Sequence, residues 1–198
     1  QLYGDMLADG LGDPAKLRDY ARRMSEEASR LGRVVSNVLG FSQLERGNLS
    51  IDPQRGDLAP VLRAIVETAQ PALDREGAII DLSCPEALEA TFDRDALIRI
   101  VGNLIDNAEK YSRGADDRTI HLEASRVDRG IEIRVRDHGS GVADPATLFT
   151  AFWRGVATDG PAGLGLGLAL SRSLARAMAG EITYRTGAGA TFVLALPS

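Results

Sequence analysis

Between residues 14 and 44 the apolar positions Leu17, Ala21, Met24, Ala28, Leu31, Val35 and Val38 recur at alternating steps of four and three. That spacing lays them along one stripe of an α-helix, the seam of a coiled coil or bundle, and predicts a helix that needs a partner. Periodicity leaves open whether the partner is a second molecule or the helix's own domain. Upstream, 2–11 reads as the end of a preceding helix. Gly10, Gly12, Asp13 and Pro14 would supply the turn and the next start, so the two would form an antiparallel hairpin.

After Gly47 the pattern changes. A strand is predicted at 49–52, a helix over 58–76, a strand at 78–83 and a helix over 94–112. Alternating apolar and polar positions then predict strands at 119–126 and 130–136, closed as a hairpin near Asp128-Arg129-Gly130. An apolar stretch at 164–178 predicts a further helix, followed by strands at 181–185 and 190–196. This is an α+β arrangement, a helix layer on a mixed sheet. The domain expectation is a helical hairpin over 1–47 and an α/β sandwich over 48–198.

A length of 198 residues suits one good core with a smaller appendage. The formal charge of −5, with no basic cluster, argues against nucleic acid as a partner, since neutralising phosphates needs concentrated Lys and Arg. Cys84 is the sole cysteine, so it forms no internal disulfide and no thiolate metal site; structural burial in a reducing compartment is its expected role. No apolar run approaches the ~18 residues that span a bilayer. The start at Gln1 has neither a signal pattern nor an initiator Met, and a fragment of something longer is expected.

Four strings stand out in order: Asn103-Leu-Ile-Asp-Asn107, Asp137-His-Gly-Ser-Gly141, Leu148-Phe-Thr-Ala-Phe152 and Gly163-Leu-Gly-Leu-Gly-Leu168. The last opens an apolar segment, so its backbone N–H groups would crown a helix N-terminus suited to phosphate. No Gly-x-x-x-x-Gly-Lys-Ser/Thr exists, and the glycines do not fit Gly-x-Gly-x-x-Gly after a strand, which removes the Walker and Rossmann readings. On the helix over 94–112, Asn103, Asn107, Lys110 and Tyr111 fall within one polar stripe at about 100° per residue. Leu97, Val101, Leu104, Ile105 and Ala108 take the other side. A polar stripe of that kind faces a pocket or, more plainly, water. Asp137 ends a strand before two glycines; an ionised carboxylate accepts hydrogen bonds only and can select an amino group over a carbonyl. A plain turn explains Asp-x-Gly-x-Gly alone equally well.

Taken together, the four strings resemble the N, G1, F and G2 boxes of the catalytic domain of sensor histidine kinases. These belong to the GHKL, or Bergerat-fold, ATPases, shared with type II topoisomerases, mismatch-repair ATPases and a heat-shock chaperone. The resemblance covers about residues 14–197. It implies ATP and Mg²⁺ as cofactors, with Asn107 on the metal, Asn103 orienting a metal-bound water or sharing the metal, and Lys110 on a phosphate. These three are the catalytic candidates. Asp137 becomes the adenine reader, with Gly139 and Gly141 letting backbone approach the base. Tyr111 would stack on the base and Thr191 would hold a water beneath it, although an edge-of-core tyrosine and an ordinary strand threonine are the bland alternatives. Gly163, Leu164, Gly165, Leu166 and Gly167 would cradle phosphates. The loop over 153–162 resembles the ATP lid, anchored by Phe149 and Phe152, with Arg154 either meeting the γ-phosphate or solvated.

The hairpin, followed by Phe41-Ser-Gln-Leu-Glu-Arg-Gly47, resembles the distal part of the dimerisation and phosphoacceptor domain, which pairs into a four-helix bundle. That implies a homodimer through the hairpin, a response regulator receiver domain as partner, and a cytoplasmic setting with any membrane anchor upstream. The family's H box, carrying the acceptor histidine, is missing from these residues. His121 lies within a strand and His138 holds the variable position of the G1 box, beside the base; both are expected to be bystanders. The function implied is transfer of the ATP γ-phosphoryl group to a histidine and thence to an aspartate of the regulator. Two alternatives stand beside it: a kinase-like binding module without an H box, and an ATPase or serine kinase of the same superfamily.

Overall fold

The structure is a computed structural model that describes residues 14–46, 50–142, 144–153 and 164–197. The predicted helix over 2–11 lies outside these residues. A long helix, α1 (Pro14–Glu45), leads into the sandwich. There follow β1 (Gln54–Asp57), α2 (Ala59–Arg75), β2 (Ile79–Ser83), β3 (Glu89–Phe92), α3 (Arg94–Tyr111), β4 (Thr119–Val127) and β5 (Gly130–Arg136). A 3₁₀ turn (Pro145–Thr147), α4 (Gly167–Ala177), β6 (Glu181–Gly187) and β7 (Gly189–Leu196) complete the order.

The main sheet runs β2-β4-β5-β7-β6, with β2 parallel to β4 and every other pairing antiparallel. Alternation along the strands decides its faces. Ile120, Leu122, Ile131, Ile133, Val135 and Leu194, all nearly inaccessible, form the inner face under α2, α3 and α4. The outer face carries charge: Arg134 pairs with Glu132 at 2.5 Å and lies 3.9 Å from Glu123, and Arg185 reaches Glu132 at 3.4 Å.

The first predicted strand is displaced. Ile51, Asp52 and Pro53 are not strand; pairing begins at Gln54, where β1 meets β3 in a two-stranded antiparallel ribbon, Gln54 opposite Phe92. Pro53 carries no N–H to donate to a ladder, which suits it to the step before a strand. Strand β3 escaped the pattern reading because four residues with a Pro85-Glu86 approach look like loop until β1 is available to pair with them. Helix α3 is well specified locally. Asp93 caps it by accepting the Ala96 N–H at 2.8 Å, and its other oxygen accepts the Asp52 N–H at 2.8 Å, tying the β1 approach to the helix start. These backbone donors hold the Asp93 carboxyl below its ordinary range.

Among the described residues, helix α1 meets the sandwich near its C-terminal end. Gly40 is buried, and a Cβ there would meet the Arg99 guanidinium at 2.5 Å and Leu170 at 2.9 Å. Arg99 donates to the Ser36 carbonyl at 3.2 Å, and Phe41 meets Phe152 edge to face at 5.6 Å. Its seam residues Met24, Leu31, Val35 and Val38 are exposed, Leu31 by 61%.

Candidate functional site

Helix α3 places the polar stripe at the edge of the sandwich. Its apolar side is sealed: Leu97, Ile100, Val101 and Leu104 are fully buried. Asn103, Asn107 and Lys110 lie half-buried on the other side, and Tyr111 is 56% exposed. Asn103 donates from Nδ2 to the Ser171 hydroxyl at 3.0 Å, which binds the stripe to α4. Asn107 and Lys110 make no hydrogen bond to any described residue, so the stripe divides into one side chain held by protein and two left available.

At the end of β5, Asp137 is 2% exposed. Its Oδ1 accepts the Gly139 N–H at 2.8 Å and the Ala190 N–H at 3.3 Å, and among the described residues no donor reaches Oδ2. Burial raises the carboxyl above its ordinary value, with the two backbone N–H groups acting the other way. A buried carboxylate with one oxygen unclaimed is costly unless a ligand donor completes it.

The glycines prove to be junctions between the four strings. A Cβ at Gly139 would collide with the Tyr111 carbonyl, one at Gly167 with the Asn103 side chain, and one at Gly165 with the Trp153 carbonyl. Gly165 has φ +68° and its carbonyl accepts the Phe152 N–H at 3.0 Å, while Phe152 itself has φ +62°. Gly141 has φ +70°, beside the Tyr184 hydroxyl, which accepts the Val142 N–H at 3.1 Å. What approaches these positions so closely is protein backbone and side chain, a constraint invisible in the strings themselves. Tyr184, packed on Phe192 at 5.5 Å, was missed; its strand position offered no sign that the hydroxyl would secure the loop after Gly141.

Helix α4 begins at Gly167 with Leu166 as N-cap and no capping side chain, so among the described residues no side chain caps its leading N–H groups. Leu166 is buried and anchors the turn, whereas Leu164 is 42% exposed. The Arg172 guanidinium lies over the Phe149 ring at 4.7 Å, tying the F string to α4. Arg154 and Gly163 lie outside the described residues.

Two expectations change. Thr191 pairs in register with Arg136 and Arg185, whereas the residue bonded to Asp137 is Ala190. Strand alternation therefore puts Thr191 on the sheet face opposite the Asp137 side chain. By the same parity His138 turns to the outer face, where its Nε2 lies 3.3 Å from His121 Nε2, away from where a base beside Asp137 would sit.

With this geometry in place, comparison with known proteins identifies the class. Residues 92–198 match the family described as "Histidine kinase-, DNA gyrase B-, and HSP90-like ATPase". That match takes in more than half of the chain, which belongs to this family and contains its ATP-binding catalytic domain of the histidine kinase type. The sensor-like histidine kinase SenX3 of Mycobacterium tuberculosis is 29% identical over 204 residues, covering 100% of this chain and 49% of SenX3. SenX3 of Mycolicibacterium smegmatis is 30% identical over 201 residues, covering 98% and 51%. The chain thus spans about half the length of these curated relatives. Among solved structures, the Acinetobacter baumannii histidine kinase AdeS superposes with a TM-score of 0.73 at 20% identity, covering 98% of this chain and 91% of that one. Full-length ShkA in complex with AMPPNP gives 0.70 at 30% identity, covering 91% and 38%. The fold is the α+β Bergerat type expected.

Proposed function

We propose that the chain binds Mg·ATP at the α3–α4 edge and that the protein containing it is a protein-histidine kinase, passing the γ-phosphoryl group to a histidine and then to a response regulator. The observation that carries the nucleotide reading is Asp137: buried, with both described donors on Oδ1 and Oδ2 open for an exocyclic amino group. Asn107 and Lys110, without protein partners among the described residues, suit a cation and phosphates. When bound, Mg²⁺ would neutralise charge on the phosphates, held by Asn107 with Asn103 beside it. Gly165, Leu166 and Gly167 would supply N–H groups at the start of α4, which no described side chain caps. Tyr111, exposed and with its backbone carbonyl beside Gly139, would cover the base. Residues 1–47 are read as the distal part of a dimerising hairpin, with the exposed α1 seam meeting a second copy, and the setting as cytoplasmic.

His121 stands on β4 and His138 just past the end of β5, neither on a helix, and the acceptor histidine is read as carried by another segment or molecule. Calorimetric titration with ATP, with and without Mg²⁺, tests the pocket. Wild type should bind saturably; Asp137→Asn should weaken binding by about tenfold or more, as loss of one buried charged contact does, and Asn107→Asp should weaken it by setting a negative charge beside the phosphates. Unchanged affinity in a folded Asp137→Asn variant would falsify the site. Phosphotransfer to a supplied acceptor helix then separates the kinase from a module that uses ATP only as a structural ligand.

A further inference from the structure

On the outer face of the sheet lie both histidines of the chain, 17 positions apart in sequence, with His138 directly following Asp137. His121 stands on β4 and His138 follows β5, the strand paired with it. Their Nε2 atoms are 3.3 Å apart, with ring centroids at 5.5 Å and an interplanar angle of 70°, so the nitrogens converge edge to edge and the rings do not stack. Each imidazole is flanked by a carboxylate. Asp81 Oδ2 lies 3.4 Å from His121 Nδ1, its register partner on β2, and Asp117 Oδ2 lies 3.4 Å from His138 Nε2. The rings are largely sheltered, at 22% and 27% side-chain exposure.

We propose that His121 and His138 form a two-imidazole chelate for a transition dication of the Zn²⁺ class. The separation carries this. Two Zn–N bonds of about 2.0–2.1 Å at a tetrahedral angle require nitrogens roughly 3.3–3.4 Å apart, the spacing already present. Asp81 beside Nδ1 of His121 favours the tautomer protonated there, which turns a bare Nε2 lone pair toward His138; carboxylates behind ligating imidazoles act in this way. Without metal, His138 can donate its Nε2 proton into that lone pair. On binding, the cation replaces this bridge, the His138 proton moves to Nδ1, and neither neutral ring loses charge. Among the described residues no three His, Cys, Asp or Glu side chains already close on one point. The chelate is therefore bidentate, with water filling the remaining positions and the carboxylate of Asp117 lowering the cost of bringing in a dication. His121 stands on β4 and His138 two residues past the paired end of β5, so little ordering is needed.

The site is independent of the nucleotide reading and is tested on the tag-free chain in a Cys84→Ser background, which removes the thiol. After chelator treatment, calorimetric titration with ZnCl₂ should show one saturable equivalent. His121→Gln and His138→Gln should each weaken it about tenfold or more, and the double variant should be little worse than either, because a chelate is broken once. In the histidine-intact chain, imidazole nitrogen NMR should show both Nε2 resonances moving with the same zinc equivalent, a readout that needs no folded variant. Absence of saturable binding, an equivalent undiminished by either substitution, or Nε2 resonances that stay in place would each overturn the proposal, leaving the pair as a hydrogen bond within the sheet.

Discussion

Helices α1 and α3 carry the same kind of apolar periodicity, yet the molecule treats them in opposite ways. In α3 the stripe of Leu97, Ile100, Val101 and Leu104 is fully buried against the sheet and α4. In α1 Leu31 is 61% exposed and Val35 53%, and contacts with the sandwich include those of Gly40, Phe41 and the Ser36 carbonyl near its C-terminal end. A stripe states that a face needs covering; it does not state what covers it. For α3 the cover lies within the chain. For α1 the open seam supports a second copy, as the bundle reading requires.

Substitutions should separate the two helices. Leu104→Ala leaves a cavity in the core and should cost about 2–5 kcal/mol in denaturant unfolding, at any protein concentration. Leu31→Glu should leave the sandwich's own unfolding within about 0.5 kcal/mol while shifting sedimentation mass from dimer to monomer. An unchanged dimer would break the contrast by removing α1 from the interface. Asp93→Ala, which uncaps α3, should lose about 1 kcal/mol. Because folding lowers the Asp93 carboxyl, its contribution is present above the unfolded carboxyl value and fades as pH falls through the lower folded one. The wild-type advantage over Asp93→Ala should therefore shrink in acid, measured by thermal melts.

The smallest effect expected is a gain. Asp137→Asn keeps an oxygen for the Gly139 and Ala190 N–H groups but removes a buried charge, so the ATP-free chain should melt slightly higher near neutral pH. The sign follows from the raised carboxyl: ionisation begins in the unfolded chain first, so the wild-type deficit builds as pH climbs from the ordinary to the raised value, and is flat above both. A variant that melts lower at every pH would show that the carboxylate serves the fold and not a ligand.

Much of this was legible beforehand. Helices α2, α3 and α4 and strands β2, β4, β5, β6 and β7 fall within a few residues of their predicted spans, because each repeats its apolar pattern over enough residues to be read locally. Strand β3 and the start of β1 were not, since a four-residue ribbon exists only through its partner. Within the site, Asp137 and the α3 stripe were singled out by residue type and spacing. Thr191 was not placed correctly: one residue of strand register separates it from Ala190 and reverses its face. The pairing of His121 with His138 had no sequence signal, for seventeen positions of chain separate them.

By itself, then, the sequence determined the elements, the order of the four strings and the chemical character of the helix stripe, because these depend on neighbours within a turn or a strand. Only the tertiary structure decided which asparagine is tied to Ser171 and which has no partner among the described residues, which oxygen of Asp137 is spent, and which glycines are crowded by protein. Those outcomes depend on strand register and helix docking, which bring together residues that local preferences cannot see.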